Sequence, residues 1–355
     1  MNEKEYDLFI KNIMLDKVVI FGLSIRAKVC YEWLIKHFPD TIIIGFVSDM
    51  LVEKNIFNDL PVLPLESIIQ KPEIIIIYAE RNLYELENLK KMHKLKNTFY
   101  IFYYVKPYLD TGNRNYPELE IRKIYQQDDF ETKLFLDNFF FAKQHDWCLL
   151  LPINSFNWIA QYNKKYWDIK DNSLNSYNGL IFLDCGAYTG DSLVDFYNQY
   201  GNILQYSYVL ESDQTKLAAI EKTVSTLGIE NTTQIIMKGV NDIAGDFFAI
   251  NIGTTSSKVV LSGEQSVQTT RIDDLGIQPI GKLCIKMDIE GLEMPALKGA
   301  TEVIRKFTPE MAICIYHQTA DIFEIPTYIR NLCPEYRFII RGGVHTVCYC
   351  SIKRF

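Results

Sequence analysis

Several things are missing from this sequence, and each absence excludes a class of protein. None of its eight cysteines falls in a C-x-x-C pair, and most lie inside apolar runs. Neither a disulfide framework nor a cysteine zinc site is expected; reduced, buried thiols suit a cytoplasmic protein. The longest apolar stretches, such as Ile74–Ala79 and Leu149–Pro152, fall far short of the ~20 residues a membrane span needs, so no integral membrane segment is expected. The opening MNEKEYDLFIKNIMLDK has no apolar core and no small-residue cleavage site of the signal-peptide kind. A basic excess is absent too: 37 Lys+Arg against 44 Asp+Glu give a net charge of -7, which argues against a nucleic-acid partner. No solenoid-period repeat and no low-complexity tract is present.

What is there reads as an ordinary globular chain. Its 355 residues suit about two domains, and 48% hydrophobic with 23% charged residues is typical of packed proteins. The surplus lies in 22 Tyr and 21 Phe, an aromatic share of 13%. Such a surplus fits sugar-stacking surfaces or a coding bias. Part of it concentrates between Phe130 and Trp167, including Phe139, Phe140, Phe141, Trp147, Phe156, Trp158, Tyr162 and Tyr166. Helix-face packing accounts for that cluster, or, if the segment overhangs a site, stacking on an acceptor sugar.

Strand and helix signals alternate twice. Lys17–Phe21, Thr41–Val47, Glu73–Tyr78 and Thr98–Tyr104 read as strands, with helices over Ile25–His37 and Asn82–His93. Runs that are apolar on both faces and separated by helices predict a parallel sheet covered on both sides. Residues 110–178 read as a mostly helical connector, with helices over Leu119–Gln127 and Asp129–Lys143. From Leu180 the alternation resumes, with strands at Leu180–Cys185, Ser207–Glu211, Thr233–Lys238, Asp246–Asn251, Leu283–Asp288 and Glu310–Tyr316. A closing pair, Arg337–Arg341 and Thr346–Ser351, predicts an antiparallel hairpin on a mixed sheet. The expected division is an N-terminal Rossmann-like domain over 1–109, a connector over 110–178 and a second α/β domain over 179–355.

Three segments carry chemistry. In LIFLDCGAYTGDS a buried strand ends at Asp184, and Gly186 and Gly190 occupy the turn before a helix. Glycines let backbone approach a ligand closely beyond the carboxyl ends of parallel strands. Twenty-one positions after Gly190 (211 − 190), the next strand ends at Glu211, placed to accept hydrogen bonds from ribose hydroxyls. The acid precedes the glycines, which suits a ligand positive at that point better than a pyrophosphate; S-adenosylmethionine, with its sulfonium and ammonium, has that sign. A plain strand–turn–helix with a capping Asp would show part of the same pattern. In KMDIEGLE, Asp288 and Glu290 lie two apart, with Gly291 for a sharp turn and Pro295 at a helix start. Paired carboxylates there could orient a hydroxyl or bind a divalent cation, or Asp288 could merely cap the helix beside Lys286. In IYHQTAD, His317 follows a strand end, as a candidate base or as a satisfied polar residue.

Taken together, FLDCGAYTGDS, VLESD, QTTRIDDL, KMDIEGLEMPALKGA, AICIYHQTADIFEIP and PEYRFIIRGG resemble the FkbM family of S-adenosylmethionine-dependent methyltransferases, over about residues 178–351. The resemblance implies a class I methyltransferase (Rossmann-like) fold and methyl transfer to oxygen, on a sugar, nucleotide sugar or cell-envelope glycan. It implies that Asp184, Gly186 and Gly190 form the cofactor loop, that Glu211 is the ribose acid, and that the Gly239–Asp242 loop, with Asn241 and Asp242, flanks adenine. Asp288, Glu290 and Glu293 match the family's D-x-E-G-x-E segment and His317 its Tyr-His pair. His317 and Asp288 are then the catalytic candidates; Glu290, Glu293 and Arg341 are substrate-binding candidates. Gly342 and Gly343 follow Arg341 where relatives often carry histidines, which implies a different acceptor. The N-terminal unit resembles small Rossmann-like domains of sugar-modifying enzymes. It keeps Gly22 but has Leu23, Ser24 and Ile25 in place of further turn glycines, which favours a degenerate nucleotide site; Asp49 is the ribose candidate otherwise.

The expected function is therefore S-adenosylmethionine-dependent O-methylation of a small-molecule or glycan hydroxyl in the cytoplasm, with no metal assigned and homo-oligomer formation open. One alternative is metal assistance, with Mg²⁺ on Asp288 and Glu290. Another is a cofactor-retaining but idle scaffold subunit of glycan biosynthesis. A nicotinamide-dependent oxidoreductase is disfavoured by the missing glycines.

Overall fold

The computed structural model describes residues 17–48, 56–71, 73–80, 98–103, 118–126, 128–143, 148–152, 166–167, 172–251, 257–260, 265–277, 280–341 and 346–353. The chain divides into two compact units, one of Met1–Pro107 with Asp137–Gln161, the other of Tyr108–Leu136 with Tyr162–Phe355. The expected helix over 82–93, Asp49, Trp147, Phe156, Trp158, Tyr162 and the pair Gly342–Gly343 lie outside the described residues.

The first unit is built on strands β1 (Lys17–Phe21), β2 (Ile42–Ser48), β3 (Ile56–Phe57), β4 (Leu60–Pro64), β5 (Ile74–Tyr78), β6 (Thr98–Tyr103) and β7 (Cys148–Pro152), in the order β3-β4-β2-β1-β5-β6-β7. β1 pairs in parallel with both β2 and β5, and β5 in parallel with β6. Every residue of β5, IIIIY, is buried, as a strand covered on both faces requires. Helix α1 (Ile25–His37) is started by Ser24, whose hydroxyl accepts from the Arg26 N–H. A short helix α2 (Glu66–Ile69) follows β4. The structure departs from the sequence reading at β7: part of the connector joins this sheet, antiparallel to β6. Five residues, CLLLP, are too few to show a period, so nothing local marked them as a strand.

The second unit opens with α3 (Glu118–Ile124) and the start of α4 (Phe130–Lys143), whose residues from Asp137 on fall in the first unit. Its main sheet comprises β8 (Leu180–Cys185), β9 (Leu204–Leu210), β10 (Thr233–Ile236), β15 (Lys282–Met287), β16 (Glu310–Cys314), β17 (Arg337–Arg341) and β18 (Val347–Ser351), in the order β10-β9-β8-β15-β16-β18-β17. The expected closing hairpin is present: β18 runs antiparallel to both β16 and β17. Helices α5 (Asp191–Tyr200), α6 (Leu217–Leu227), α7 (Glu293–Lys298), α8 (Thr301–Phe307) and α9 (Asp321–Leu332) connect the strands. A separate four-stranded sheet, β11-β14-β12-β13, holds β11 (Gly239–Val240), β12 (Gly245–Asn251), β13 (Ser257–Val260) and β14 (Gln265–Thr270). In the core, Phe182 stacks on Phe196 at 4.2 Å, and Trp167 meets both edge-on. Fold and strand order are those of a mixed, doubly wound α/β sheet, the class the sequence predicts.

Candidate functional site

The strand order reverses between β8 and β15: from β8 the chain moves outward through β9 and β10, whereas β15 leads the other way to β16. In open α/β sheets ligands bind beyond the carboxyl ends of strands at such a switch point. The loops there are Gly186–Gly190 after β8 and Asp288–Leu292 after β15.

The first loop is held from below. Asp184 is fully buried; its carboxylate lies 3.1 Å from Lys286 Nζ and accepts from the Ser192 hydroxyl at 2.5 Å. The parallel register of β8 and β15 sets Asp184 opposite Lys286. Burial alone would lower the Lys286 ammonium, but Asp184 and then Asp288 hold it well above its ordinary value. Lys286 Nζ also donates to the Gly186 carbonyl at 2.5 Å. Asp184 therefore braces the loop from beneath, and its carboxylate is occupied there, where the sequence reading had it facing the cofactor. Gly186 and Gly190 have φ of +78° and +84°. A Cβ on Gly186 would lie 2.0 Å from the Asp288 carbonyl oxygen, so this glycine presses the two ligand loops together.

Glu211, just beyond β9, ties its own strand end to that loop. Its Oε1 accepts from the Ser212 and Asp213 N–H groups, and its Oε2 from the Tyr188 N–H at 2.7 Å. Oε2 keeps acceptor capacity for a ribose hydroxyl. Asn241 is buried with its amide oxygen accepting from the Asp242 N–H at 2.9 Å. Positive-φ glycines, a partly exposed carboxylate on the second strand and the Asn241–Asp242 turn on the third fit an adenosine-bearing cofactor of the expected kind.

The second loop gathers charge. Asp288 accepts from the Tyr166 hydroxyl at 2.6 Å and from the Tyr316 hydroxyl at 2.9 Å. Burial, and then Asp288, raise Tyr166 well above its ordinary value, so it stays a neutral donor. Glu290 adopts φ +56°, a left-handed conformation that non-glycine residues avoid, next to Gly291 at φ +96°. Asp288 and Glu290 side chains are 14% and 24% exposed, whereas His317 and Glu293 are sealed at 0%.

His317 sits among these acids. Its Nδ1 is 2.9 Å from Glu293 Oε1, and its Nε2 is 3.4 Å from Glu290 Oε2 and 3.5 Å from Asp288 Oδ1. Burial pulls the imidazole down, but Glu293 foremost, with Glu290 and Asp288, overrides it and pushes it up to about 10. These neighbours favour its protonated form. Burial, and then Glu293, likewise raise Asp321 well above the carboxylate range. Glu293 cannot meet an acceptor as the sequence reading expected; Oε1 accepts from the Ile289 N–H at 3.0 Å and faces His317.

Arg341 is placed elsewhere. Its guanidinium grips both oxygens of Asp129, at 2.6 and 2.9 Å, and reaches Glu131 at 2.7 Å. These contacts fasten β17 to the start of α4 and occupy the group assigned to substrate. The sequence reading gave Lys286 only as neutralising a neighbour and Tyr316 only as the partner of His317 in the Tyr-His pair; it missed Tyr166 and Ser192 as hydrogen-bond partners of the site acids. Lys286 and Tyr316 lie within the quoted motifs KMDIEGLE and IYHQTAD; Tyr166, 122 residues before Asp288, had no spacing signal.

Known proteins resemble this chain at the level of domain and fold. A family model described as the methyltransferase FkbM domain matches residues 184–340. The crystal structure of methyltransferase FkbM from Methylobacillus flagellatus superposes with a TM-score of 0.59 at 15% identity, covering 98% of this chain and 94% of that one. An rRNA methylase from Streptococcus thermophilus matches with a TM-score of 0.33 at 13% identity, covering 49% of this chain and 87% of that one. A SAM dependent methyltransferase from Aquifex aeolicus matches with a TM-score of 0.29 at 12% identity, covering 66% and 98%. No curated protein matches the chain. Residues 184–340, somewhat under half of the chain, match the methyltransferase FkbM domain, and the chain is an S-adenosylmethionine-dependent methyltransferase.

Proposed function

We propose that this enzyme methylates a hydroxyl oxygen of a sugar, nucleotide sugar or cell-envelope glycan, with the acceptor seated on the Asp288–Glu290 turn. The observation that carries the reading is the left-handed Glu290 in a turn whose two carboxylates alone among the four clustered groups reach the surface. Backbone strain persists where the surroundings over-determine it, and it gathers at functional sites. Adjacent carboxylates accept hydrogen bonds from neighbouring hydroxyls, which favours a polyol acceptor.

The bound cofactor supplies the electrophilic methyl group. Glu211 holds the ribose hydroxyls, Asn241 and Asp242 border the adenine, and the Gly186–Gly190 backbone lies along the amino-acid end. Asp288, fixed by two phenols, orients the acceptor hydroxyl. Glu290, the most exposed acid of the cluster, takes the hydroxyl proton as oxygen attacks in line. The protonated His317 offsets the negative turn and keeps Glu290 in place. Alignment and charge complementarity are the protein's contribution. Among the described residues the seven free cysteines described, six of them buried, suit a reducing cytoplasm, and no helix is long and apolar enough to cross a membrane.

The test is a mass-spectrometric screen for methyl transfer to nucleotide sugars and envelope glycans. Glu290→Gln should lower kcat about 10²–10⁴-fold while S-adenosylhomocysteine affinity stays unchanged. Full activity in that variant, or transfer only to non-hydroxyl acceptors, sinks the assignment.

A further inference from the structure

We propose that Asp288, Glu293 and His317 form a binding site for a divalent first-row transition-metal ion beside the acceptor position. The proposal rests on the reading of this turn as the acceptor site. One ligand atom from each residue lies within 4.8 Å of the others. Ligand distances of about 2.0–2.2 Å put two ligands of one ion at most about 4.4 Å apart, so the three side chains draw together to hold it.

A second observation points the same way. His317 and Glu293 are completely buried, yet among the described residues neither imidazole nitrogen nor the Glu293 Oε2 has an aligned hydrogen-bond partner. Nδ1 is 2.9 Å from Glu293 Oε1 but out of line for an N–H···O bond. Nε2 is 3.4 and 3.5 Å from its two carboxylates, beyond the range of about 2.7–3.2 Å for such bonds. Short contacts without donor–acceptor alignment, among sealed groups, are what ligands of one ion show towards each other. Buried polar atoms are otherwise nearly always paired.

The charge balance agrees. Binding displaces the imidazole proton, since only neutral imidazole is a ligand. Lys286 is committed to Asp184 and to the Gly186 carbonyl. Asp288, Glu290 and Glu293 then leave three negative charges, of which a divalent ion offsets two. The outer contacts are of the kind that orient ligands: Tyr166 and Tyr316 hold Asp288, and the Ile289 N–H holds Glu293. One imidazole with two carboxylates selects Zn²⁺, Mn²⁺ or Fe²⁺ over Mg²⁺, which prefers oxygen ligands alone. This set therefore differs from a Mg²⁺ pair on Asp288 and Glu290. The ion offers an open position to the acceptor hydroxyl and acidifies it, and the proton passes to Glu290.

Full-length protein stripped by chelator and dialysed is titrated with Mn²⁺, Zn²⁺ and Mg²⁺ in separate calorimetric runs. One equivalent of Mn²⁺ or Zn²⁺ should bind, with no heat from Mg²⁺ at the same concentration. His317→Gln and Asp288→Asn should each weaken Mn²⁺ binding at least about 10-fold. The nitrogen coupling in the electron paramagnetic resonance of bound Mn²⁺ should vanish in His317→Gln. Circular dichroism establishes that each variant is folded, and Asp288, being partly exposed, provides a variant outside the sealed core. Absence of ion binding in the wild type, or equal Mn²⁺ binding in both folded variants, overturns the site. Stoichiometric binding without methyl transfer overturns the acceptor reading and leaves the ion site. Methyl transfer by stripped protein that binds no ion does the reverse.

Discussion

Tyr166 and Trp167 are neighbours in sequence with opposite tasks. Trp167 is buried against Phe182 and Phe196, while the Tyr166 hydroxyl holds Asp288 and its ring lies 5.0 Å from Lys286 Nζ. The indole anchors the backbone, and the anchored backbone delivers the phenol. Tyr166→Phe keeps the ring and removes the donor, so kcat should fall about 10-fold while S-adenosylhomocysteine affinity, read by calorimetry, stays constant. A fall in affinity instead would place Tyr166 in cofactor binding. Asp184 and Lys286 form the other decisive pair. Removing one partner of a buried ion pair leaves an uncompensated charge, so Asp184→Asn should cost about 3–5 kcal/mol in denaturant unfolding. A loss well under that would mean water reaches Lys286. Neither pairing was fully legible in the sequence. The glycine loop and Asp184 announced themselves by order, but whether the acid faced a ligand or a lysine depended on the register of a strand about 100 residues later.

Elements repeat that division between local and distant signals. β8, β9, β15 and β16 were readable because apolar runs bounded by turn residues need no partner to be recognised. The four-stranded sheet was mostly unreadable: QSVQTT and SKVV are short and polar, and pairing rather than composition makes them strands. The clamp between α4 and β17 was also invisible, since Arg341 and Asp129 are 212 residues apart. Asp129 has two tasks there, accepting from the Thr132 N–H at the start of α4 and from Arg341. Burial acts to raise its carboxyl, but hydrogen bonds from Arg341 and Thr132 outweigh that and hold it below the ordinary value of 3.8. A depressed folded value contributes stability that is present above the unfolded value and lost as pH falls through the folded one. Asp129→Asn keeps a capping oxygen and loses the charge. Wild type should exceed this variant in stability at neutral pH, and the gap should close below about pH 4, in denaturant unfolding across a pH series. A gap that persists at pH 2 would assign the effect to packing.

At the scale of the whole molecule, two seven-stranded sheets of similar layout have different equipment at their first loops. In the first unit, the Glu80 carboxylate lies 2.1 Å from where a Cβ of Gly22 would be and accepts from the Ser24 N–H at 3.2 Å. The protein's own anion thus fills the helix-start position that a phosphate would take. In the second unit the Gly186–Gly190 loop instead meets a partly exposed carboxylate, Glu211. S-adenosylhomocysteine should raise the melting temperature, and NAD or NADH at equal concentration should not; stabilisation by either nicotinamide nucleotide would give the first unit a ligand of its own. The degenerate first loop was readable from its missing glycines, but the plug was not, because Glu80 belongs to another strand end.

The strand order of the catalytic sheet also sets a schedule for its synthesis. β18 is made after β17 yet lies between β16 and β17. While the ribosome has delivered Arg341 but not Ser351, β17 has no neighbour to pair with and the edge of β16 stays open. A nascent chain paused in that interval carries two adhesive strand edges at once. A chain cut between β17 and β18 should therefore aggregate more readily than the full one.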